Sequence, residues 1–230
     1  MKLKNKVALI TGASSGIGKA TALLFAKEGA IVMLCARDIS KLRKVEEEII
    51  NFNGRAESFV MDVVDREQVK DAVKKIILKY KKIDILVNNA GIAKFDSIEN
   101  TSYEDFDRHV KVNLIGYFNC IKEVVPFMVR QKSGSIVNVI TSTVKRTKAN
   151  RVAYAASKYG QAGLSNAVHE DLKGKWVSVV AVYPGKTDTP IHDASIPKKS
   201  PLRKEMLNAK RVAEAILEAA LARGVKEIDV

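Results

Sequence analysis

Short apolar segments alternate with longer amphipathic segments in the first part of the chain. The apolar segments have the length and composition of strands that are buried on both faces, as in parallel sheets. They are expected at residues 7–10, 30–36, 55–61 and 83–87. The segments between them place apolar side chains at helical spacing, with Lys and Glu on the opposite face. These helices are expected at residues 19–28, 41–52 and 66–80, with Ser40 and Asp65 as N-caps of the second and third.

The second part of the chain continues this alternation with longer helices. A capping-box pattern at residues 101–104 opens a helical region that extends to about residue 131 and breaks near residues 111–113. Further strands are expected at residues 135–140 and 176–182, an edge strand at 225–230, and helices at 152–172 and 204–223. Residues 191–203 contain two prolines and many polar residues, which predicts an irregular lid at about residues 190–204.

The strand–helix repeat, with connections of a few residues, predicts one doubly wound α/β domain over residues 1–230. Its sheet is expected to be mostly or wholly parallel, with helices on both faces. Ligands of such sheets bind beyond the carboxyl ends of the strands, and the polar and glycine-rich clusters of this chain follow those ends. The sequence therefore predicts the binding site at that edge of the sheet.

A glycine-rich turn joins the first strand to the first helix, in the order Thr11, Gly12, three residues, Gly16, one residue, Gly18. A strand that passes through glycines into a helix directs free backbone N–H groups and the positive helix end to one point, which suits a phosphate. A tight turn with close strand–helix packing is the alternative interpretation. The strand before the glycines and the helix after them favour a dinucleotide site.

The net charge of +13 is compatible with a nucleic-acid partner or with a Lys-rich soluble surface. The basic residues are spread over many segments and interleaved with Glu and Asp, and the few aromatic residues do not accompany the basic runs. This distribution is typical of solvated helix faces, so no nucleic-acid partner is expected. A basic surface still attracts anionic ligands such as phosphorylated cofactors.

The sequence also limits the compartment and the metal chemistry. It has no run of 18 apolar residues, and its first apolar run is too short for a signal peptide, so we expect a cytoplasmic protein without a membrane partner. Cys35 and Cys120 lie in apolar segments and are expected to be buried. His109, His169 and His192 lack metal-ligand spacing, so no metal site is expected.

Tyr154 and Lys158 form the strongest catalytic pattern in the sequence. Four residues apart in a helix, they lie on one face. A phenol has a reference pKa of about 10, but a nearby ammonium favours the phenolate and lowers that pKa. The pair follows a strand that ends in Thr141 and Ser142, in a fold of the dinucleotide-binding type. This context favours acid/base catalysis over a surface pair.

These motifs together resemble the short-chain dehydrogenase/reductase family over essentially the whole chain. The residues that carry the resemblance are Thr11-Gly12-x-x-x-Gly16-x-Gly18, Asn88-Asn89-Ala90-Gly91, Asn113, Thr141-Ser142, Tyr154-x-x-x-Lys158 and Pro184-Gly185. The resemblance implies a single Rossmann-type domain that exchanges hydride between a nicotinamide cofactor and a small-molecule carbonyl or secondary alcohol. The pattern is similar to both 3-oxoacyl-carrier-protein reductases and broad carbonyl reductases.

The resemblance also implies which residues bind the dinucleotide. The pyrophosphate is expected against Gly12, Gly16, Ile17 and Gly18, with hydroxyl groups from Ser14 and Ser15. The adenine is expected at Asp62 with Val63 beside it, and a ribose along the backbone of Asn89, Ala90 and Gly91. The nicotinamide is expected beside Pro184, Gly185, Thr187 and Thr189.

The same resemblance implies that Tyr154 is the general acid/base. Lys158 is expected to bind the nicotinamide ribose and to lower the pKa of Tyr154, and Asn113, at the helix break, to position a water in a proton relay. The family has a serine that contacts the substrate oxygen, and its register falls here on Thr141. A threonine hydroxyl donates and accepts as serine does, so Thr141 is favoured. Ser142 is the alternative, after a shift of one residue.

The end of the second strand distinguishes NADP(H) from NAD(H). An acidic residue there binds the ribose 2′-hydroxyl of NAD, whereas an arginine favours a 2′-phosphate. Ala36 holds the acidic position and Arg37 follows, while Asp38 is expected to turn away or to cap the next helix. Ser15 holds a position that many NADP-dependent members fill with Arg or Lys. NADP(H) is therefore the expected cofactor, with NAD(H) as the alternative.

A catalytically weak sensor or scaffold with the same fold is the alternative function. It would bind the nucleotide without turnover, and the presence of Tyr154, Lys158 and Asn113 argues against it. In the family, helices equivalent to residues 113–131 and 152–172 form a dimer face. The resemblance therefore implies a homodimer or a homotetramer.

Overall fold

Seven of the nine strands in the described part of the chain form one parallel sheet. The computed structural model describes residues 1–193, 196–197 and 199–230, apart from the side chain of His192. The strands are β1 (Val7–Thr11), β2 (Ile31–Ala36), β3 (Arg55–Val60), β4 (Ile85–Asn88), β5 (Gly134–Val139), β6 (Val177–Tyr183), β7 (Thr187–Asp188), β8 (Leu207–Asn208) and β9 (Glu227–Asp229). The sheet order is β3–β2–β1–β4–β5–β6–β9, and β7 and β8 form a separate parallel pair.

Helices cover both faces of this sheet. The α-helices are α1 (Gly16–Lys27), α2 (Ile39–Ile50), α3 (Arg66–Tyr80), α4 (Tyr103–His109), α5 (Gly116–Arg130), α6 (Val152–Asp171) and α7 (Ala209–Leu221). A π-helical segment, Val110–Ile115, joins α4 to α5, and short 3-10 helices cover Ser142–Val144, Pro190–His192 and Pro201–Glu205. The predicted doubly wound parallel fold is confirmed, and the expected helix break is the π-helical segment.

Two hydrophobic cores lie on opposite faces of the sheet. Phe25 of α1, Leu42 of α2 and Ile216 of α7 belong to one core, while Val73 of α3 and Val124 of α5 belong to the other. Each of these side chains is at most 1% exposed. Burial of one such side chain stabilises the fold by about 1.5–3 kcal/mol, so both helical layers hold the sheet in place.

The strand order reverses between β1 and β4, in the middle of the sheet. The chain runs from β1 outward to β3 and then returns to β4, which pairs with β1 on its other side. The helices that follow β1 and β4 therefore leave in opposite directions, which opens a crevice at the carboxyl ends of these strands. This crevice brings together the glycine-rich turn and the segment after β4.

Two helix N-termini differ from the sequence prediction. Helix α2 is capped by Asp38 rather than Ser40, because the Asp38 carboxylate accepts a 3.1 Å hydrogen bond from the Lys41 backbone N–H. Helix α4 is capped by Ser102, whose hydroxyl accepts from the Asp105 N–H. Thr101 instead donates its hydroxyl proton to the Ser97 carbonyl oxygen, so it is not available as the cap.

The last helix begins later than predicted. Helix α7 starts after Asn208, whose side chain accepts from the Lys210 N–H, rather than at residue 204. Pro201 begins a 3-10 helix, and Met206 after it is extended, which separates residues 201–205 from α7. The predicted lid at residues 190–204 includes Ala194, Ser195 and Lys198, which lie outside the described residues. Its described parts contain two short 3-10 helices.

One helical stretch is long and apolar enough to cross a membrane by length and composition alone. It is Tyr103–Arg130, with a mean hydropathy of 1.2 over its most apolar window. In the structure this stretch packs on the sheet, where Cys120, Val124 and Met128 are buried in the core. A core helix of this kind passes the same length and composition test.

Candidate active site

The glycine-rich turn packs so closely on the segment after β4 that side chains are excluded. A Cβ atom on Gly18 would lie 2.2 Å from the Gly12 carbonyl oxygen, and Gly12 itself has a φ of +65°. The Asn89 side-chain amide donates to the Thr11 and Gly12 carbonyl oxygens at 2.9 and 3.3 Å. The side chain of the N-cap Ser15 does not cap α1, and Gly16 and Ile17 line the cleft, so the first N–H groups of this helix are available to a phosphate.

The Thr11 hydroxyl links β1 to β4 beneath this turn. It accepts hydrogen bonds from the Asn89 and Ala90 N–H groups at 2.9 and 3.0 Å and donates to the Val87 carbonyl oxygen at 3.3 Å. Thr11 is fully buried. The sequence pattern identified Thr11 only as the start of the motif. Its position at the end of an apolar strand, directly before a glycine, could have indicated that its hydroxyl links two strands.

A single cleft of about 1290 Å³ contains most of the residues predicted for the site. It exceeds the roughly 300–1,000 Å³ of common small-molecule pockets, as expected if two ligands bind together. The predicted residues that line it are Gly12, Ser14, Ser15, Gly16, Ile17, Arg37, Asp62, Val63, Asn89, Ala90, Gly91, Thr141, Ser142, Tyr154, Lys158, Pro184, Gly185, Thr187 and Thr189. Gly18 and Asn113 lie behind the wall rather than in it.

The end of β2 places both Arg37 and Asp38 at the cleft, but the Asp38 carboxylate is engaged by Lys41. Asp38 binds the Lys41 N–H as the cap of α2 and also the Lys41 ammonium at 3.3 Å. The hydrogen bond from the Lys41 backbone is the main cause of a lowered pKa for the Asp38 carboxyl. Arg37 is exposed and lines the cleft. The free charge at this point is therefore positive.

Tyr154 is nearly buried in the wall of the cleft, at 9% exposure. Phe95 meets its ring edge to face, with 5.4 Å between the ring centres. Burial raises the pKa of the Tyr154 phenol, while a hydrogen bond with the Thr141 side chain and the charge of Arg151 act in the opposite direction. The Tyr154 phenol therefore lies near the side chains of Thr141 and Arg151.

Lys158 is also buried, and burial lowers the pKa of its ammonium to about 7. Its Nζ donates to the Val139 carbonyl oxygen at 3.4 Å and lies 5.9 Å from the centre of the Tyr154 ring. Burial is the largest influence on both groups, and it shifts the pKa values of Tyr154 and Lys158 in opposite directions. The physical reason is that desolvation disfavours the phenolate and the ammonium alike, so it raises one pKa and lowers the other.

Asn113 lies in the π-helical segment and is fully buried. Its side chain accepts from the Ile92 N–H at 2.8 Å and donates to the Ile92 carbonyl and to Ser157 Oγ. Its backbone carbonyl accepts a hydrogen bond from the side-chain amide of Gln161. Asn113 thus fixes the segment after β4 against α6. Gln161, an uncharged polar residue among buried positions of α6, was not predicted from the sequence.

Thr141 and Ser142 both line the cleft, but of the two only the Thr141 side chain lowers the pKa of the Tyr154 phenol. The Thr141 hydroxyl also accepts from the Thr143 N–H and donates to Thr143 Oγ1, both at 3.3 Å. Ser142 is exposed at the start of a 3-10 helix. The geometry thus favours Thr141 as the hydroxyl near the reacting atoms.

Several lining residues were missing from the sequence prediction. The loop between β5 and α6 was predicted as polar and basic, without a role in the site, yet it contributes four basic residues to the cleft. The residues missed include Ile92, Phe95, Lys145, Arg146, Lys148, Arg151 and Lys186. The clustering of positive charge directly before Tyr154 was the signal that could have indicated them.

The described residues contain no group of three His, Cys, Asp or Glu side chains that could hold a metal ion. Cys35 and Cys120 are buried as predicted. Burial raises the pKa of the Cys120 thiol to about 12, so this thiol is inert at neutral pH.

Comparison with known proteins extends over most of the chain. The family model of the short chain dehydrogenases matches residues 6–200. A 3-oxoacyl-acyl-carrier-protein reductase of Thermotoga maritima is 44% identical over 202 residues, which cover 87% of this chain and 81% of that protein. A hydroxy(phenyl)methylsuccinyl-CoA dehydrogenase subunit of Thauera aromatica is 38% identical over 199 residues, which cover 86% of this chain and 79% of that protein.

Solved structures agree with this relationship. A metagenomic short-chain oxidoreductase in complex with NADP superimposes with a TM-score of 0.86 at 31% identity, over 100% of this chain and 98% of the other. A variant of the actinorhodin polyketide ketoreductase with NADPH gives a TM-score of 0.89 at 28% identity, over 98% and 95% of the two chains. The chain therefore belongs to the short-chain dehydrogenase/reductase family of oxidoreductases.

Proposed function

We propose that this protein reduces a 3-oxoacyl group to the 3-hydroxyacyl product with NADPH, with Tyr154 as the proton donor. The observation that carries the proposal is the position of the Thr141 side chain beside the Tyr154 phenol, in the same cleft as the glycine-rich turn. The 3-oxoacyl substrate is taken from the Thermotoga maritima relative, whose name specifies it.

The residues present fit a phosphorylated dinucleotide. Side chains are excluded where the pyrophosphate would lie, since a Cβ on Gly12 would approach the Ala90 Cα to 2.9 Å. Arg37 supplies a planar cation for a 2′-phosphate, and Asp38 is already engaged as the cap of α2. When bound, the cofactor supplies the hydride. The complexes of two solved relatives with NADP and NADPH support this choice.

The residues of this chain transfer one proton to the substrate and stabilise the charge on its oxygen. As negative charge develops on the substrate oxygen, the Tyr154 hydroxyl donates a proton to it and the Thr141 hydroxyl donates a hydrogen bond. The raised pKa of Tyr154 keeps the phenol protonated before the reaction. Lys158, in contact with the Val139 carbonyl, holds positive charge near the phenolate that remains. The nearly buried position of Tyr154 excludes water from this proton transfer.

The proposal includes a cytoplasmic homo-oligomer built from one domain per chain. Helices α4 to α6 carry large apolar side chains that are partly exposed, with Phe106 at 41%, Phe118 at 47% and Tyr159 at 48%. Apolar area of this kind supports association of two copies along α5 and α6. Sedimentation equilibrium of the protein tests this, and a monomer at micromolar concentration would contradict it.

The decisive experiment follows NADPH absorbance with a 3-oxoacyl thioester as substrate. We expect turnover by the unmodified protein and its near loss in Tyr154→Phe, with NADPH affinity retained. Retained turnover in Tyr154→Phe would refute the assigned role. Binding of NADPH without turnover of a panel of ketones would instead support the sensor or scaffold alternative.

A further inference from the structure

Arg151 places a guanidinium group beside Tyr154 in the wall of the cleft. Its Cζ lies 4.7 Å from the centre of the Phe95 ring, and that ring contacts Tyr154. Nη1 also donates a 3.4 Å hydrogen bond to Thr143 Oγ1. Contacts with two different segments therefore hold the guanidinium at a defined place near the proton donor.

The charge of Arg151 has no carboxylate partner in the part of the chain that the structure describes. Its partners are a hydroxyl and an aromatic face, and neither neutralises a cation. Two other basic residues near the cleft differ in this respect. Lys145 binds Asp229 at 2.7 Å, and Lys94 binds Asp105. Arg151 is thus available to an anionic ligand.

The position of Arg151 is partly desolvated, which strengthens its attraction for an anion. The residue is half-buried, and Arg146 and Lys148 add exposed positive charge on the same loop. An unpaired cation removed from water costs free energy, and a bound anion offsets that cost. Its charge also acts on the Tyr154 phenol, where it lowers the pKa against the effect of burial.

We infer that Arg151 gives the same site a second substrate class besides the acyl thioesters of the proposed function. These substrates are 3-oxo acids with a free carboxylate, which Arg151 selects over their neutral methyl esters. A planar guanidinium binds a carboxylate with two parallel hydrogen bonds, which suits the fixed orientation of this side chain. With the ketone oxygen at Tyr154, the carboxylate of a 3-oxo acid is only two carbon atoms further along the substrate. The inference rests on the proposed proton transfer from Tyr154 and goes beyond the thioester substrate, which has no free carboxylate.

The test compares two substrates that differ only in charge, 3-oxobutanoate and its methyl ester. NADPH-dependent kcat/KM is measured for both with the unmodified protein, Arg151→Gln, Arg151→Lys and Lys44→Gln. Lys44 is an exposed residue of α2 outside the cleft, so its variant controls for net charge. We expect the unmodified protein to prefer the acid. In Arg151→Gln the acid-to-ester ratio should fall about 10- to 100-fold, as loss of a charged hydrogen bond predicts.

The controls distinguish recognition from a structural role. Arg151→Lys should restore part of the ratio, and Lys44→Gln should leave it unchanged. A loss of kcat/KM by the same factor for both substrates in Arg151→Gln would assign Arg151 a structural role at the start of α6 and overturn the inference. Reduction of the ester but not of the acid by the unmodified protein would also overturn it, while the proposed function would stand.

An equilibrium measurement keeps the inference testable if no ketone is turned over, in which case the proposed function fails. The protein saturated with NADP is titrated calorimetrically with 3-oxobutanoate, which cannot be reduced by the oxidised cofactor. We expect binding that is about tenfold or more weaker in Arg151→Gln. Equal affinities, or no binding to the unmodified protein, would overturn the inference.

Discussion

The Thr141 side chain lies beside the Tyr154 phenol and lowers its pKa, whereas Ser142, the next residue, is exposed at the start of a 3-10 helix. The chain therefore presents a threonine hydroxyl where the family register leads one to expect serine. Because β5 ends at Val139, Thr141 lies at the edge of the sheet where the cleft opens.

Replacement of Thr141 by Val should lower kcat by about 100- to 1,000-fold, because the developing oxyanion loses one donor. Ser142→Ala should change kcat by no more than a few-fold. Steady-state kinetics with a 3-oxoacyl thioester measures both, and Thr141→Ser serves as the control that keeps the hydroxyl. A large loss in Ser142→Ala with little effect of Thr141→Val would reverse the assignment.

Arg37→Ala should raise the KM for NADP(H) by about 10- to 100-fold and leave that for NAD(H) nearly unchanged, because only NADP carries the 2′-phosphate. The measurement is KM for both cofactors at a fixed ketone concentration. Equal use of NADP(H) and NAD(H) by the unmodified protein would contradict the assignment of Arg37. The difference between the cofactors should also shrink at high salt, since Arg37 is exposed.

Lys158 should make the free energy of unfolding depend on pH. Its folded-state pKa of about 7 lies below the reference of 10.5, so the unfolded chain binds more protons between these values. Stability therefore rises with pH from about 7 to 10.5, by up to about 5 kcal/mol. Lys158→Met should raise stability more at pH 6.5 than at pH 9.5 in urea unfolding.

The matched control for this prediction is Lys44→Met, because Lys44 is exposed. Its effect should stay within about 0.5 kcal/mol at both pH values. An equal stability gain of Lys158→Met at pH 6.5 and pH 9.5 would contradict the prediction. It would show that burial does not destabilise the ammonium form of Lys158.

Gly18→Ala should destabilise the protein and abolish NADPH binding, since its Cβ would lie 2.2 Å from the Gly12 carbonyl oxygen. Gly163→Ala is the matched control, because Gly163 lies on the exposed face of α6. A Cβ atom there would have no neighbouring atom within 4 Å. Alanine favours a helix by up to about 1 kcal/mol over glycine, so this control should be neutral or stabilising. Thermal unfolding and fluorescence titration with NADPH measure both variants.

Local patterns in the sequence predicted the fold, and the family resemblance implied the site residues, most of which line the cleft. Apolar runs mark buried strands, glycines mark the turn between β1 and α1, and the ends of parallel strands meet at one edge of the sheet. Errors occurred where two polar residues competed for one role. Ser40 and Asp38 can both cap a helix, and the choice of Asp38 depends on where α2 begins.

By itself, the sequence determined the order of strands and helices and the parallel sheet. It also determined that Tyr154 and Lys158 lie on one face of the same helix. Only the tertiary structure decided what surrounds that pair. Phe95 reaches Tyr154 and Arg151 from a distant segment, and burial raises one pKa and lowers the other. The physical reason is that desolvation and long-range contacts arise from packing between segments that no local spacing specifies.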